Sequence, residues 1–252
     1  RVTGRPVRLV EDGFAGSDTC RACHPDQYAS WHASYHRTMT QVATPSTARP
    51  SFDNQTVTAV QGRPMQLRTQ DDRLFATFDD PDAGVVDGVR PRIERAVSLI
   101  TGSHNQQVFW YETGHDRVLG QLPAAYLVAE QRWIPRRMAV LHPPSQGPLS
   151  ETGHWNSTCL VCHSTHAKPQ FDSPFGSEPI DQQSVQTTAV EFGIACESCH
   201  GPSAAHVRAN RKLYADKYRA VMPLMKAPLR TTLPGGGFYL WIQTPVSDTD
   251  FA

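Results

Sequence analysis

At 252 residues the chain has room for one large domain or two small ones. With 39% hydrophobic residues, 19% charged residues, 17 glycines and 20 prolines it is a loop-rich globular sequence, which excludes a fibre or a disordered tail. Its 24 basic and 24 acidic side chains cancel, which excludes nucleic-acid binding as a main role. No apolar run approaches the ~18 residues that span a bilayer, so no transmembrane segment is expected; stretches such as Ala124 to Ala129 are among the longest. Arginine outnumbers lysine 20 to 4, a bias that fits either GC-rich coding or a need for bidentate carboxylate binding.

In chain order, Arg1 to Val10 lacks the charged start and apolar core of a signal peptide, and a processed or trimmed chain is expected because numbering begins without methionine. The first residue is not cysteine, so nothing there supports a lipid anchor. The pentad Cys20-Arg21-Ala22-Cys23-His24 comes next. Pro25 to Gln41 reads as a helix with proline near its start, and residues 42 to 53 read as a Pro/Ser/Thr-rich linker. Short strands are then predicted over Thr56–Val60, Met65–Thr69, Leu74–Phe78, Ala96–Ile100, Gln107–Glu112 and Val118–Leu122, with turns at Gln61-Gly62 and Asp71-Asp72. Pro143 to Gly153 is loop. The pentads Cys159-Leu160-Val161-Cys162-His163 and Cys196-Glu197-Ser198-Cys199-His200 follow, then a helix over Pro202–Met222 and a tail containing Gly235-Gly236-Gly237. The expected fold class is α+β with much irregular structure: short helices around cofactors plus a β-rich insert. The expected segments are 1–45 with the first pentad, 46–148 as the insert, 149–222 with the other two pentads, and an extended tail over 223–252.

Every cysteine belongs to a pair, and a histidine follows the second cysteine of each pair. That pentad attaches c-type haem. Two thiols three residues apart on one turn reach both vinyl groups of one porphyrin, and the adjacent histidine is held under the iron. Zinc wants four ligands from two half-sites, and three identical half-sites do not divide into closed tetrahedra. Disulfide pairing leaves the adjacent histidines unexplained. Three covalent haems c are therefore expected on Cys20 and Cys23, Cys159 and Cys162, and Cys196 and Cys199, with His24, His163 and His200 as proximal iron ligands. Haem attachment of this kind takes place outside the cytoplasm, so a periplasmic or other extracytoplasmic location is expected. Three ferric haems with their propionates shift the formal charge to roughly −3.

Tyr28-x-x-Trp31-x-x-Ser34-x-His36, Trp155-Asn156-Ser157-Thr158-Cys159, and Gly193-Ile194-Ala195-Cys196-Glu197-Ser198-Cys199-His200-Gly201-Pro202-Ser203-x-x-His206 resemble the bacterial multihaem cytochromes c, especially the group often fused to tetratricopeptide repeats. Thr101-Gly102-Ser103-His104-x-Gln106 and Gln131-Arg132-Trp133-x-Pro135-Arg136 are similar to that group as well, so the resemblance spans about residues 15 to 210.

Eight further histidines compete for the sixth iron positions: His32, His36, His104, His115, His142, His154, His166 and His206. His206 and His36 follow their own pentads so closely that a neighbouring haem is the easier target. His32 and His36 lie four apart on the expected helix face, and the resemblance favours His36. The expected distal set is His36, His104 and His206, with His142 and His154 as substitutes for His104 and Met39 as a rival to His36. Trp155 is placed to pack edge-on to a haem, and Arg132, Arg136 and Arg137 to pair with propionates. The segment 152–167 has few apolar residues and is expected to depend on its haem for order. The function expected is electron transfer through three haems, by a soluble carrier or a subunit of a respiratory or photosynthetic membrane complex, with redox proteins as partners. The alternatives are a redox enzyme with an open haem site acting on a small nitrogen or sulfur compound, and a filament-forming cytochrome.

Overall fold

The computed structural model describes residues 4–139, 152–174, 183–227, 229–232 and 242–243. His142 and Gly235–Gly237 lie outside these residues. The chain opens on a two-residue strand, β1 (Val7–Arg8), a helical turn, α1 (Ser17–Cys20), and α2 (Pro25–His32). Pro25 sits at the first turn of α2, where its missing N–H loses no helical bond.

The helix expected through Gln41 stops at His32. The Ser34 hydroxyl donates to the Trp31 carbonyl at 2.6 Å, and Thr38 Oγ1 lies 3.4 Å from the Ser34 carbonyl. Such hydroxyls compete with the helical ladder for backbone acceptors. The His36 carbonyl accepts the Ile194 N–H at 2.9 Å, and beyond a 3₁₀ turn at Arg37–Met39 the chain becomes strand β2 (Thr40–Val42). Tertiary pairing therefore overrides local helix propensity, and His36 does not share a helix face with His32.

The β-rich region is a meander of β3 (Gln55–Val57), β4 (Met65–Gln70), β5 (Arg73–Asp79), β6 (Arg92–Thr101), β7 (Gln106–Glu112), β8 (Leu119–Leu127) and β9 (Arg132–Pro135), paired in sequence order. Strand β2 adds to it on β6, with Thr40 opposite Thr101 and Val42 opposite Leu99. Asp71 and Asp72 both take positive φ, 49° and 58°, which gives the β4–β5 hairpin the twist a two-residue turn needs.

Alternation along the strands builds two cores. Phe109 and Tyr111 face one side with Met65, Leu67, Phe78, Ile100 and Leu122; Val108 and Trp110 face the other with Leu99, Leu119, Ala125 and Ile134. Strands β7 and β8 are therefore buried on both faces, and they read as apolar runs rather than as an alternating pattern.

What covers the second face is the segment carrying the second pentad. A π-helical turn (Trp155–Cys159) leads into α3 (Leu160–His163), and Trp155 and Leu160 complete the second core. Then come β10 (Ser164–Lys168), β11 (Thr188–Phe192), α4 (Cys196–His200) and α5 (Ala204–Val221). Strands β1, β11 and β10 form a second, small sheet in that order, parallel between β1 and β11 and antiparallel between β11 and β10. The fold is thus mixed α/β, with few and mostly short helices and one large sheet.

Candidate haem-binding site

The first and third pentads, whose leading cysteines Cys20 and Cys196 are 176 positions apart in sequence, are joined by two buried carboxylates. Glu191 accepts the Ser17 N–H and hydroxyl, both at 2.8 Å, and pairs with Arg8 at 3.1 Å. The Ser17 hydroxyl oxygen in turn accepts the Cys196 N–H at 3.2 Å. Glu197, inside the third pentad, accepts the N–H groups of Ala15 (3.0 Å), Gly16 (2.9 Å) and Ser203 (2.8 Å) and the Ser203 hydroxyl (2.7 Å). Burial pushes Glu197 up, but these donors outweigh it and hold the carboxyl below its ordinary value. The Cys20 thiol is pushed up to about 11, by burial first and then by the neighbouring Cys196 thiol and the Glu197 carboxylate. The two attachment sites are therefore side by side.

A folded pKa below the unfolded value of ~4.3 means that Glu197 stabilises the fold above that value, and that this contribution is lost as pH falls through the lower folded pKa. Glu197→Gln keeps the shape but weakens four charge-assisted bonds, and is expected to cost about 1–3 kcal/mol. Urea unfolding at pH 7 and pH 3.5 checks this: the gap between wild type and variant should shrink at the lower pH.

The second pentad is seated on the large sheet. Trp155 is 0% exposed, and its indole packs edge-on against Phe192 with ring centres 6.4 Å apart. Asn156 is buried beside it: its Oδ1 accepts the Leu119 N–H at 2.9 Å, and its Nδ2 donates to the Arg117 carbonyl (2.9 Å) and Thr187 Oγ1 (3.0 Å). Truncating a buried tryptophan costs ~3–5 kcal/mol, against ~1 kcal/mol for an ordinary hydrogen bond, so the indole dominates this anchor. Trp155 is thus a core residue, not a haem-edge residue, and the segment 152–167 has its own apolar attachment. Gly193 links this pentad to the third. Its N–H donates to the His163 carbonyl at 3.1 Å, its φ is +82°, and a Cβ there would lie 2.4 Å from the Arg37 carbonyl oxygen.

Among the remaining histidines, His206 on α5 faces His24, with ring centres 6.4 Å apart and planes within 25° of parallel. His104, in the β6–β7 turn, has Nδ1 within 2.7 Å of Ser103 Oγ, which leaves Nε2 for another partner. Its ring packs on Tyr35 at 3.5 Å, and Ser103 Oγ meets Thr38 Oγ1 at 2.6 Å, so His104 and the loop carrying His36 and Met39 form one unit. Burial pushes half-buried His163 down, while the Met39 backbone beside it acts in the opposite sense. His32 stacks on Tyr28 at 5.5 Å, His115 Nε2 lies 2.6 Å from the Gln183 carbonyl, and His166 pairs with Glu11 at 3.6 Å.

Of the arginines expected at propionates, Arg132 and Arg136 have partners within the chain. Arg132 pairs with Glu130. Arg136 donates to the Gln121 carbonyl at 3.2 Å and, with Arg137, lines a cleft of about 430 Å³ at the large sheet to which no pentad residue contributes. Their place in the meander, not their sequence, put them there.

The residues present fit covalent haem. None of the six cysteines is in a disulfide, each is half-buried or exposed, and each pair is set three residues apart in a turn or helix. Apolar surface beside them is bare: Val161, inside the second pentad, is 71% exposed, and Leu213, two turns beyond His206 on α5, is 47% exposed. Among the described residues no three His, Cys, Asp or Glu side chains stand together as a metal-ion cage. Glu191, Glu197, Asn156 and Ser17 organise the site without any signature in the sequence, because each has at least one partner more than 30 positions away.

Residues 19–66 match the family model described as Cytochrome c554 and c-prime. No curated protein matches the chain. Among solved structures, the chain is similar to one titled Crystal Structure of Outer Cell Wall Cytochrome OcwA, with 17% identity and a TM-score of 0.48 over 79% of this chain; it spans 34% of that structure's length. The family match, together with the pentads, supports a multihaem c-type cytochrome with covalently bound haem, and electron transfer as its general activity. Among the described residues no helix is long and apolar enough to cross a membrane.

Proposed function

We propose that the chain is a triheme electron-transfer protein in which every iron carries two histidines. Cys20 and Cys23, Cys159 and Cys162, and Cys196 and Cys199 would tether the haems, and His24, His163 and His200 would be proximal ligands. The observation that carries this reading is the His24–His206 pair. The two rings stand 6.4 Å apart with planes within 25° of parallel, near enough that both imidazoles could be bound by one iron held between them. His206 would then serve the first haem although it lies on the helix that follows the third pentad. His36 and His104, on the unit bonded to Ile194 and Ser103, would cap the other two irons.

Bound haem supplies a one-electron redox couple whose potential follows axial ligands, burial and nearby charge. The chain's own residues hold the first and third attachment sites together through Glu191, Glu197 and Ser17, which favours fast transfer between those two haems. Covalent attachment points to a periplasmic or other extracytoplasmic location, with redox proteins, including subunits of a membrane complex, as partners.

With all irons capped, no substrate reaches metal without displacing a protein ligand, so the enzymatic alternative loses ground. The dithionite-reduced holoprotein is expected to show no stoichiometric carbon monoxide difference spectrum, and no nitrite or hydroxylamine turnover above free haem. A one-to-one carbon monoxide complex would put the redox-enzyme reading first.

A further inference from the structure

The chain is neutral overall, but its charge is not evenly spread. Helix α5 carries five of the 24 basic side chains, Arg208, Arg211, Lys212, Lys217 and Arg219, and one of the 24 acidic ones, Asp216. The helix is net +4 and the remainder of the chain −4. All five cations are exposed. Among the described residues the only ion pair on α5 joins Arg219 to Asp216 at 2.9 Å.

Helical geometry says where this charge points. At 100° per residue, Arg208, Arg211, Lys212 and Arg219 fall on one stripe roughly 120–160° round the helix from His206. His206 points at His24, so the stripe faces away from the iron position between them and is not that haem's propionate clamp. Val207, Tyr214, Tyr218 and Val221 lie on a separate, partly covered face. The stripe itself holds only alanines between its cations, without the large apolar side chains an interfacial membrane helix inserts.

We infer that this stripe of α5 is the docking surface for an acidic electron-transfer protein, which it would steer to the paired first and third haems. The inference rests on the haem reading above. Complementary charge of this kind acts mainly on the encounter rate and is weakened by salt. The helix starts four residues after His200 and bears His206, so a partner seated on the stripe would stand about one helix diameter, ~10–12 Å, from the His206 side.

The test is reduction of the ferric holoprotein by flavodoxin hydroquinone, an acidic one-electron donor, in a stopped-flow instrument. One electron leaves the flavin, which becomes the semiquinone, and one Fe(III) becomes Fe(II). The second-order rate should fall as salt rises. The triple variant Arg208→Glu, Arg211→Glu, Lys212→Glu should be slower by about tenfold or more at low salt, with a flattened salt dependence. Its haem absorption and its reduction by the cationic methyl viologen radical should be intact. Full haem absorption with an unchanged flavodoxin rate overturns the docking surface alone; absence of haem absorption in both proteins overturns the haem reading with it. Wild-type binding to vesicles of equal parts phosphatidylglycerol and phosphatidylcholine, without a salt-dependent flavodoxin reaction, would make the stripe a lipid contact and also overturn the inference.

Discussion

Denatured holoprotein is expected to weigh three haem groups more than its 27.9 kDa polypeptide. Thioether bonds survive denaturation, whereas zinc and non-covalent haem do not, so intact-mass spectrometry separates the readings directly. Replacing both Cys159 and Cys162 by alanine should remove one of the three additions. Sequence alone suggests that this loss would also disorder residues 152–167. The structure reverses that expectation, because Trp155 and Leu160 are buried in the second core and Asn156 is bonded to three separate partners. The variant should therefore lose a third of its haem absorption while keeping its near-ultraviolet tryptophan signal. A wild-type mass equal to the bare polypeptide, with zinc present only in the native state, would remove the basis of the functional proposal.

His206→Ala is expected to leave all three haems attached and convert one iron in three to a high-spin, carbon monoxide-binding state. On the pairing proposed above, with His206 6.4 Å from His24, the affected iron would be the one on the first pentad. His206→Met offers a graded version, since methionine in place of histidine raises the potential of a c-type haem; one of three redox transitions should shift upward while the others stay. Electron paramagnetic resonance of the oxidised protein and a potentiometric titration read these two outcomes. An unchanged spin state in the alanine variant would make His206 an ordinary surface histidine of α5 that happens to lie near His24.

The sequence by itself determined what is local in chemistry. Two thiols and a histidine within five residues carry their ligand geometry with them, so the three pentads are legible without a fold. The same holds for the β4–β5 hairpin at Asp71-Asp72 and for α5, where turn chemistry and unbroken helical spacing act over a few positions. Tertiary structure decided whatever depends on partners distant in sequence. The end of α2 was not legible, because Thr40–Val42 leaves the helix only when β6 is there to pair with it. Nor was the role of Trp155, which lacks a burial site until the second face of the large sheet exists. Composition reported zero net charge, but only the helix turns a run of scattered cations into a stripe facing away from His206. The approach of His206 to His24 is the extreme case. They are 182 positions apart in the sequence, and the pentads near them are brought together by buried Glu191 and Glu197, which take backbone and hydroxyl donors from the segment at Ala15–Ser17.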